Sequence, residues 1–317
     1  MRGIQITEFG GPETLVVNEL ADPVPGPDEQ LFDVLAAGVN YADTHQIEDT
    51  YLAKQVLPLI PGSEVVVCSA DGQRRLGLIG SGGYAQKIAT DPRALFPIPD
   101  AVGDGAALTT LVQGATAWHL LRTSTHLQEG ESVVVHAGAG GVGTIAVQLA
   151  RRWGAGRVIA TASSEAKRQV ALDLGADAAV DSTVTDLTAA LRAANDGKRV
   201  DVVLEMTGGA VFDQSLAALA PLGRLAVFGM ASRTPAAPIA PATLMGRSQG
   251  VIGFWLMHLV QRPGLLAAAV TDLLQLIAAK QLRPLVGATY SLQHAADAHR
   301  ALRERSSVGK LVLDPQR

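Results

Sequence analysis

The sequence predicts an α/β protein in which a doubly wound parallel sheet is inserted into a β-rich domain. Three observations predict it. From about Ser132 onward, short and continuously apolar runs alternate with amphipathic helical stretches, the pattern of parallel strands buried on both faces. Up to about residue 110 the texture is instead strands and turns. After Pro263 a tail ends in one more apolar strand, which is expected to rejoin the first domain. The predicted division is residues 1–115, 116–262 and 263–317, with the first and last parts forming one domain.

In the first part, "DPVPGP" at Asp22–Pro27 separates strands expected at Leu15–Val17 and Leu31–Val39, because proline lacks the amide that a ladder needs. The alternation then runs as strand Ser132–His136, helix Val142–Trp153, strand Val158–Thr161, helix Glu165–Leu174 and a strand in "DAAVD". A helix near Asp186–Ala194 follows, then the strand "VDVVLE" at Val200–Glu205, a helix near Phe212–Leu219 and the strand "RLAVFG" at Arg224–Gly229. The tail reads as a helix from Pro263 to about Ala279, a strand in "VGATYSL", a helix near Ala295–Arg303 and the closing strand "GKLVLD".

Composition narrows the function. With 317 residues, 48% of them hydrophobic, the chain can bury two cores. A formal charge of −4 supplies no basic field for nucleic acid, and 4% aromatics leave few surfaces on which bases could stack. The lone Cys68 cannot form an internal disulfide or a cysteine-built zinc site, so the expected location is the cytoplasm. The N-terminus has no apolar leader. The most apolar run, Val251–Val260, is far shorter than the roughly 20 residues of a membrane helix.

The chemistry is concentrated in "VVVHAGAGGVGTIAVQLA" at residues 133–150. Gly138, Gly140 and Gly143 fit G-x-G-x-x-G between a predicted strand and a predicted helix, the context in which that pattern binds a dinucleotide. One glycine makes the tight turn, one lets the backbone approach the diphosphate, and one admits close helix packing. The amides from Gly141 and Val142 to Gly143 would face the negative charge at the helix start. The tip of the second strand selects the dinucleotide, and there the chain reads "ATASSEAKR". Ser163 and Ser164, with Lys167 and Arg168 following, suit a 2′-phosphate; a carboxylate at the tip would repel it. Glu165 would reach the ribose only through a slip in register, and its other role is to satisfy the next helix N-terminus. NADPH is therefore favoured over NADH.

Several blocks in order then carry a family resemblance: "GVNYADT" at Gly38–Thr44, "PLIPGSEV" at Pro58–Val65, "GGYAQ" at Gly82–Gln86, "VQGATAWHLL" at Val112–Leu121, "VHAGAGGVG" at Val135–Gly143 and "GKLVL" near the end. Nearly end to end, the chain resembles the zinc-independent NADPH:quinone oxidoreductase family of the medium-chain dehydrogenase/reductase superfamily. The resemblance implies a GroES-like β-rich catalytic domain built from both chain ends, an inserted Rossmann domain, and a cofactor in the cleft between them. It implies reduction of quinones or of carbon–carbon double bonds conjugated to a carbonyl. It also implies a homodimer formed by sheet-edge pairing, with "GVIGFWL" at Gly250–Leu256 as the matching segment. The cysteine and histidine that hold zinc in related alcohol dehydrogenases would fall near Asn40 and Ser63, and neither residue is a usual zinc ligand, so no metal is assigned.

Further roles follow from the same resemblance. Asn40 is expected near the nicotinamide, Thr116 near its ribose or phosphate, and Phe228, Gly229 and Met230 beneath it at the end of a strand. Thr116 could instead cap a helix or be a buried hydroxyl, and Lys310 either reaches the cofactor or is a solvated lysine. Tyr51 resembles the aromatic that relatives place above the substrate, and Tyr41 is a second candidate; either could instead be packed with its hydroxyl bonded. The expected reaction is metal-free hydride transfer from NADPH, with Asn40 or Tyr51 stabilising charge on the substrate oxygen and a tyrosine or solvent supplying the proton. The chain departs from the family between Val65 and Gly82, where it is shorter, and substrate choice is least transferable there. Alternatives are an enoyl-thioester reductase and a non-catalytic NADPH-binding regulatory protein.

Overall fold

A computed structural model describes Met1–Arg317. The chain divides into two units, Met1–Gln113 with Val270–Arg317, and Gly114–Ala269. The second division falls within the helix Pro263–Ala278 rather than at its first residue.

The first unit is built on a seven-stranded sheet. Its longest strand, Gln30–Val39, pairs antiparallel with Glu64–Cys68 on one side and with Lys87–Thr90 and the last strand, Lys310–Asp314, on the other. Alternation dictates which residues point inward: Phe32 and Val34 are buried while Leu31 and Asp33 are exposed. With Val65, Val67, Leu311 and Leu313 they form a core against which the helix Ala295–Arg303 lays Ala295 and Ala298. The expected strand at Leu15–Val17 begins instead at Val17 and runs to Glu19. Pro12 sets a single tight turn over Pro12–Thr14, and Leu15 closes it as a buried residue. A helix over Tyr41–Gln46, which the sequence reading left out, starts where Asn40 and Asp43 form a reciprocal capping pair.

The second unit carries a six-stranded, wholly parallel sheet. Its order is Ala178–Asp181, Arg157–Ala162, Ser132–Val135, Val200–Glu205, Leu219–Val227, Gly250–Gly253. The strands are apolar throughout because helices cover both faces; Val133, Val134, Val202 and Val203 are fully buried, each contributing about 1.5–3 kcal/mol of transfer free energy. The order reverses beside Ser132–Val135, so the switch point lies where that strand and Val200–Glu205 end. The apolar segment Gly250–Leu256 is a strand only over Gly250–Gly253, at the sheet edge; Leu256 already begins the short helix Met257–Val260. No helix is long and apolar enough to cross a membrane.

Candidate active site

In the first unit the candidate residues gather around Asn40, at the end of the strand Gln30–Val39 and the start of the helix Tyr41–Gln46. Its side chain is buried between two charged groups. Lys310 Nζ donates to Asn40 Oδ1 at 2.7 Å, and Asn40 Nδ2 donates to Glu64 Oε2 at 3.1 Å. Lys310 and Glu64, both fully buried, also form an ion pair with each other. The remaining carboxylate oxygen, Glu64 Oε1, accepts the Val112 amide at 2.7 Å. Lys310 is therefore not the solvated lysine that the closing "GKLVLD" allows: its strand faces it inward, and Gly38 across the ladder leaves it room. A Cβ at Gly38 would stand 2.6 Å from Lys310 Cε and would meet the Glu64 carboxylate.

A second set of bonds fixes the helix start. Asp43 Oδ2 accepts the Asn40 amide at 2.8 Å and the Tyr84 hydroxyl at 3.2 Å, and Ser63 Oγ donates to Asp43 Oδ1 at 3.4 Å. Burial pushes the Asp43 carboxyl up to about 6. The Tyr84 phenol is pushed well up, first by burial and then by Asp43. Tyr84 also lies 2.9 Å from His299 Nε2. With its single proton given to Asp43, the phenol accepts from the imidazole, which makes His299 the Nε2–H tautomer. Burial, aided by Arg303, lowers His299 to about 4. The Tyr84 ring sits where a side chain at Gly62 would be, and Gly62 has φ +88°. Glu64, Asp43, Tyr84 and His299 were missed in the sequence. The one local signal was the lone carboxylate opening the apolar run "EVVVC".

Tyr41 and Tyr51, both half-buried, are brought together through His45. Its ring meets Tyr41 edge-on at 5.6 Å between centroids and stacks on Tyr51 at 6.1 Å. The segment that departs from the family is a tight hairpin. Glu64–Cys68 pairs with Arg74–Leu78 from Glu64↔Leu78 to Cys68↔Arg74, and the loop closes through Ser69 and Gln73. Just beyond it, Gly80 O accepts from Gln46 Nε2 at 3.2 Å, tying the shortened segment to the helix that Asn40 starts.

In the second unit the glycine turn leads from the strand Ser132–Val135 into the helix Gly141–Arg152. The left-handed residue is Ala137, at φ +51°, rather than a glycine. The glycines are needed for proximity. A Cβ at Gly143 would strike the Ala137 carbonyl and lie 2.8 Å from Gly138 Cα, and one at Gly138 would lie 2.7 Å from the Ala160 Cβ. No side chain caps the helix at Gly140. Its first amides, at Gly141, Val142 and Gly143, are those that an anion satisfies at a helix start.

At the second strand's tip, Ser163 and Ser164 are exposed and Lys167 is half-buried. Ser164 caps the helix Glu165–Asp173, its Oγ accepting the Lys167 amide at 3.4 Å. The cap is thus a hydroxyl, not Glu165, which stands exposed in the first turn. Accepting that bond leaves the Ser164 O–H free to donate. Arg168 is engaged with Asp181 at 2.9 Å. Thr161 is turned inward, where its hydroxyl lies 3.0 Å from His136 Nδ1; Ser215 Oγ lies 2.8 Å from the other ring nitrogen, and burial lowers His136 to about 4. Thr116 is buried inside the helix Ala115–His119, whose N-cap is Gly114, so Thr116 is not a cap. Phe228, Gly229 and Met230 follow directly on the strand Leu219–Val227, half-buried to exposed. The adjoining loop is held by the buried Glu205, which accepts the amides of Thr207 at 2.6 Å and Gly208 at 3.1 Å. Desolvation raises the Glu205 pKa.

Comparison with known proteins agrees with this architecture. The zinc-binding dehydrogenase family matches residues 141–278. A quinone oxidoreductase of Pongo abelii is 30% identical over 335 aligned positions, covering 99% of this chain and 97% of that protein. The solved structure of the quinone oxidoreductase from Thermus thermophilus, described with its NADPH complex, is 36% identical. It matches with a TM-score of 0.88 over 99% of this chain and 100% of that one. Escherichia coli quinone oxidoreductase complexed with NADPH matches at 27% identity with a TM-score of 0.92, over 99% of this chain and 100% of that one.

Proposed function

Because the chain belongs to the quinone oxidoreductase family of the medium-chain dehydrogenase/reductase superfamily, we propose that it is an NADPH-dependent reductase of quinones and of α,β-unsaturated carbonyl compounds. The observation that carries this reading is the likeness over 99% of the chain to a quinone oxidoreductase whose complex with NADPH has been solved. The residues present fit that cofactor. Gly138 and Gly143 occupy places that any Cβ would fill, and the helix from Gly141 starts without a side-chain cap. Backbone amides of Gly141, Val142 and Gly143 would hold the diphosphate over the turn that Gly140 closes by donating to the Ala137 carbonyl, and Ser163, Ser164 and Lys167 would hold the 2′-phosphate. Thr116, Asn40 and Phe228 to Met230 would serve the nicotinamide end, with Lys310 acting through Asn40.

Bound NADPH supplies a hydride. The chain's own part is to orient the acceptor and to stabilise the charge that grows on its oxygen. Asn40 is a fixed amide donor for that oxygen, and the Tyr51 hydroxyl is a second donor that can also pass on a proton. His45 supports Tyr51 as a stacked ring and is itself met edge-on by Tyr41. A quinone is a strong electron acceptor, so alignment of acceptor and hydride donor would supply much of the rate. A cytoplasmic location accords with the lone Cys68. The edge strand Gly250–Gly253 is the surface through which two copies would pair as a homodimer, and light scattering that finds only monomer would refute that assembly.

The test is NADPH oxidation against a panel of quinones, linear enones and enoyl thioesters. Turnover of quinones or enones is expected. Turnover of thioesters alone would make the protein an enoyl-thioester reductase, and tight NADPH binding without turnover of any would make it a binding protein.

A further inference from the structure

An ion pair with no exposed surface is seldom kept for stability, because well-packed apolar side chains do as well or better in the same place. Lys310 and Glu64 form such a pair, and every group around them is committed. Glu64 accepts from the Val112 amide, from Asn40 Nδ2 and from Lys310. Lys310 donates in turn to Asn40 Oδ1. Gly38 is the residue whose missing side chain makes room for both.

The chemistry of the two partners settles how the Asn40 amide is turned. An ammonium can only donate and a carboxylate can only accept. Asn40 must therefore turn its oxygen to Lys310 and its nitrogen to Glu64; the flipped amide would face N–H with N–H and oxygen with oxygen. The backbone is fixed separately, through the bond from the Asn40 amide to Asp43 at 2.8 Å. One N–H of the side chain is committed to Glu64, which leaves the second N–H as the group it can offer to a ligand.

We propose that Lys310 and Glu64 are positioning residues that hold Asn40 as a one-way hydrogen-bond donor, so that the site selects substrates presenting an acceptor oxygen. A carbonyl or quinone oxygen meets that requirement, whereas a group that can only donate does not. The inference rests on the reading of Asn40 as the donor to the substrate oxygen.

The experiment is steady-state kinetics of the full chain with NADPH and a 1,4-benzoquinone, alongside thermal melting. The variants are Asn40→Ala, the charge-neutral pair Glu64→Gln/Lys310→Met, and all three changes together. Asn40→Ala should lower kcat on the order of a hundredfold, as the loss of a preorganised donor does. The double variant should fold and lose roughly tenfold to a hundredfold in kcat, because a misplaced amide fails much as an absent one does. The triple variant should be no slower than Asn40→Ala, since the pair acts only through that amide. A folded double variant with wild-type kcat, or a triple variant showing the product of both losses, overturns the proposal while leaving the role of Asn40 intact. Full kcat in Asn40→Ala overturns the reading of Asn40 and the proposal with it. If that double variant does not fold, Glu64→Gln/Lys310→Gln replaces it, a neutral pair that keeps hydrogen bonding but can meet Asn40 with either an oxygen or an N–H on each side. Its kcat should fall as far, and wild-type kcat in the folded variant refutes the proposal while leaving the role of Asn40 intact.

Discussion

Acidification from pH 7 to pH 5 should weaken the unit Gly114–Ala269 chiefly through one imidazole. His136 is enclosed between Thr161 and Ser215, and burial holds it near 4 instead of the usual 6.5. The unfolded chain takes up a proton as the pH falls through 6.5, while the folded unit resists until about 4. The contribution is thus present at neutral pH and is lost as pH falls across that window. By pH 5 the loss amounts to roughly 2 kcal/mol. In the same unit Glu205, raised by burial, is relieved by acidification, whereas His119, lowered by burial, adds to the loss; both are shared by wild type and variant, so the comparison between them isolates His136. The assay isolates the right unit, because Trp118, Trp153 and Trp255 all lie within it and tryptophan fluorescence reports its unfolding. Urea unfolding should be followed at both pH values for the wild type and for His136→Gln. The variant is less stable at pH 7, but its change between pH 7 and 5 should differ from the wild type's by roughly 2 kcal/mol in the direction of less loss. An identical loss in both proteins would refute the reasoning. In the other unit the same acidification draws on His299, lowered to about 4, and relieves Asp43, raised to about 6, so the two largely offset.

Three further outcomes are expected. Gly143→Ala forces a methyl group against the Ala137 carbonyl and Gly138 Cα; it should destabilise the unit by about 1–3 kcal/mol and abolish NADPH binding in a fluorescence titration. Lys167→Ala should raise the KM for NADPH roughly tenfold, the worth of one charge-assisted hydrogen bond, and leave the KM for NADH nearly unchanged. Tyr51→Phe should lower kcat at saturating acceptor, more for linear enones than for quinones, and equal turnover with both would remove Tyr51 from the proton path.

The parts that were legible in the sequence are those that a local period encodes. Short apolar runs such as "VDVVLE" and "SVVV" are strands buried on both faces, and the glycine spacing after the first of the parallel strands marked its turn. The buried polar groups were not legible in the same way. Tyr84 and His299 lie 215 residues apart, and Lys310 and Asn40 lie 270 apart, so only tertiary packing, for the second pair the pairing of the last strand with Gln30–Val39, brings them within bonding distance. No local feature distinguishes the lysine of "GKLVLD" from a solvated one. Ala137 was misjudged for a different reason. A glycine is the usual left-handed residue in such a turn, but here the glycines are consumed by close approach and the alanine bears the strain.

The strand Lys310–Asp314 also determines when the site can exist at all. The chain leaves the ribosome from its N-terminus, so the whole of Gly114–Ala269 emerges, and can fold, before the strand that completes its host is made. Until then the Ala37–Val39 end of that strand has an open edge, Glu64 has no cation and Asn40 Oδ1 lacks its ammonium donor. On the proposed reading of Asn40 its donor group is therefore the last to be completed, and a chain interrupted between Ala269 and Lys310 carries the whole parallel sheet without the ammonium that orients that amide.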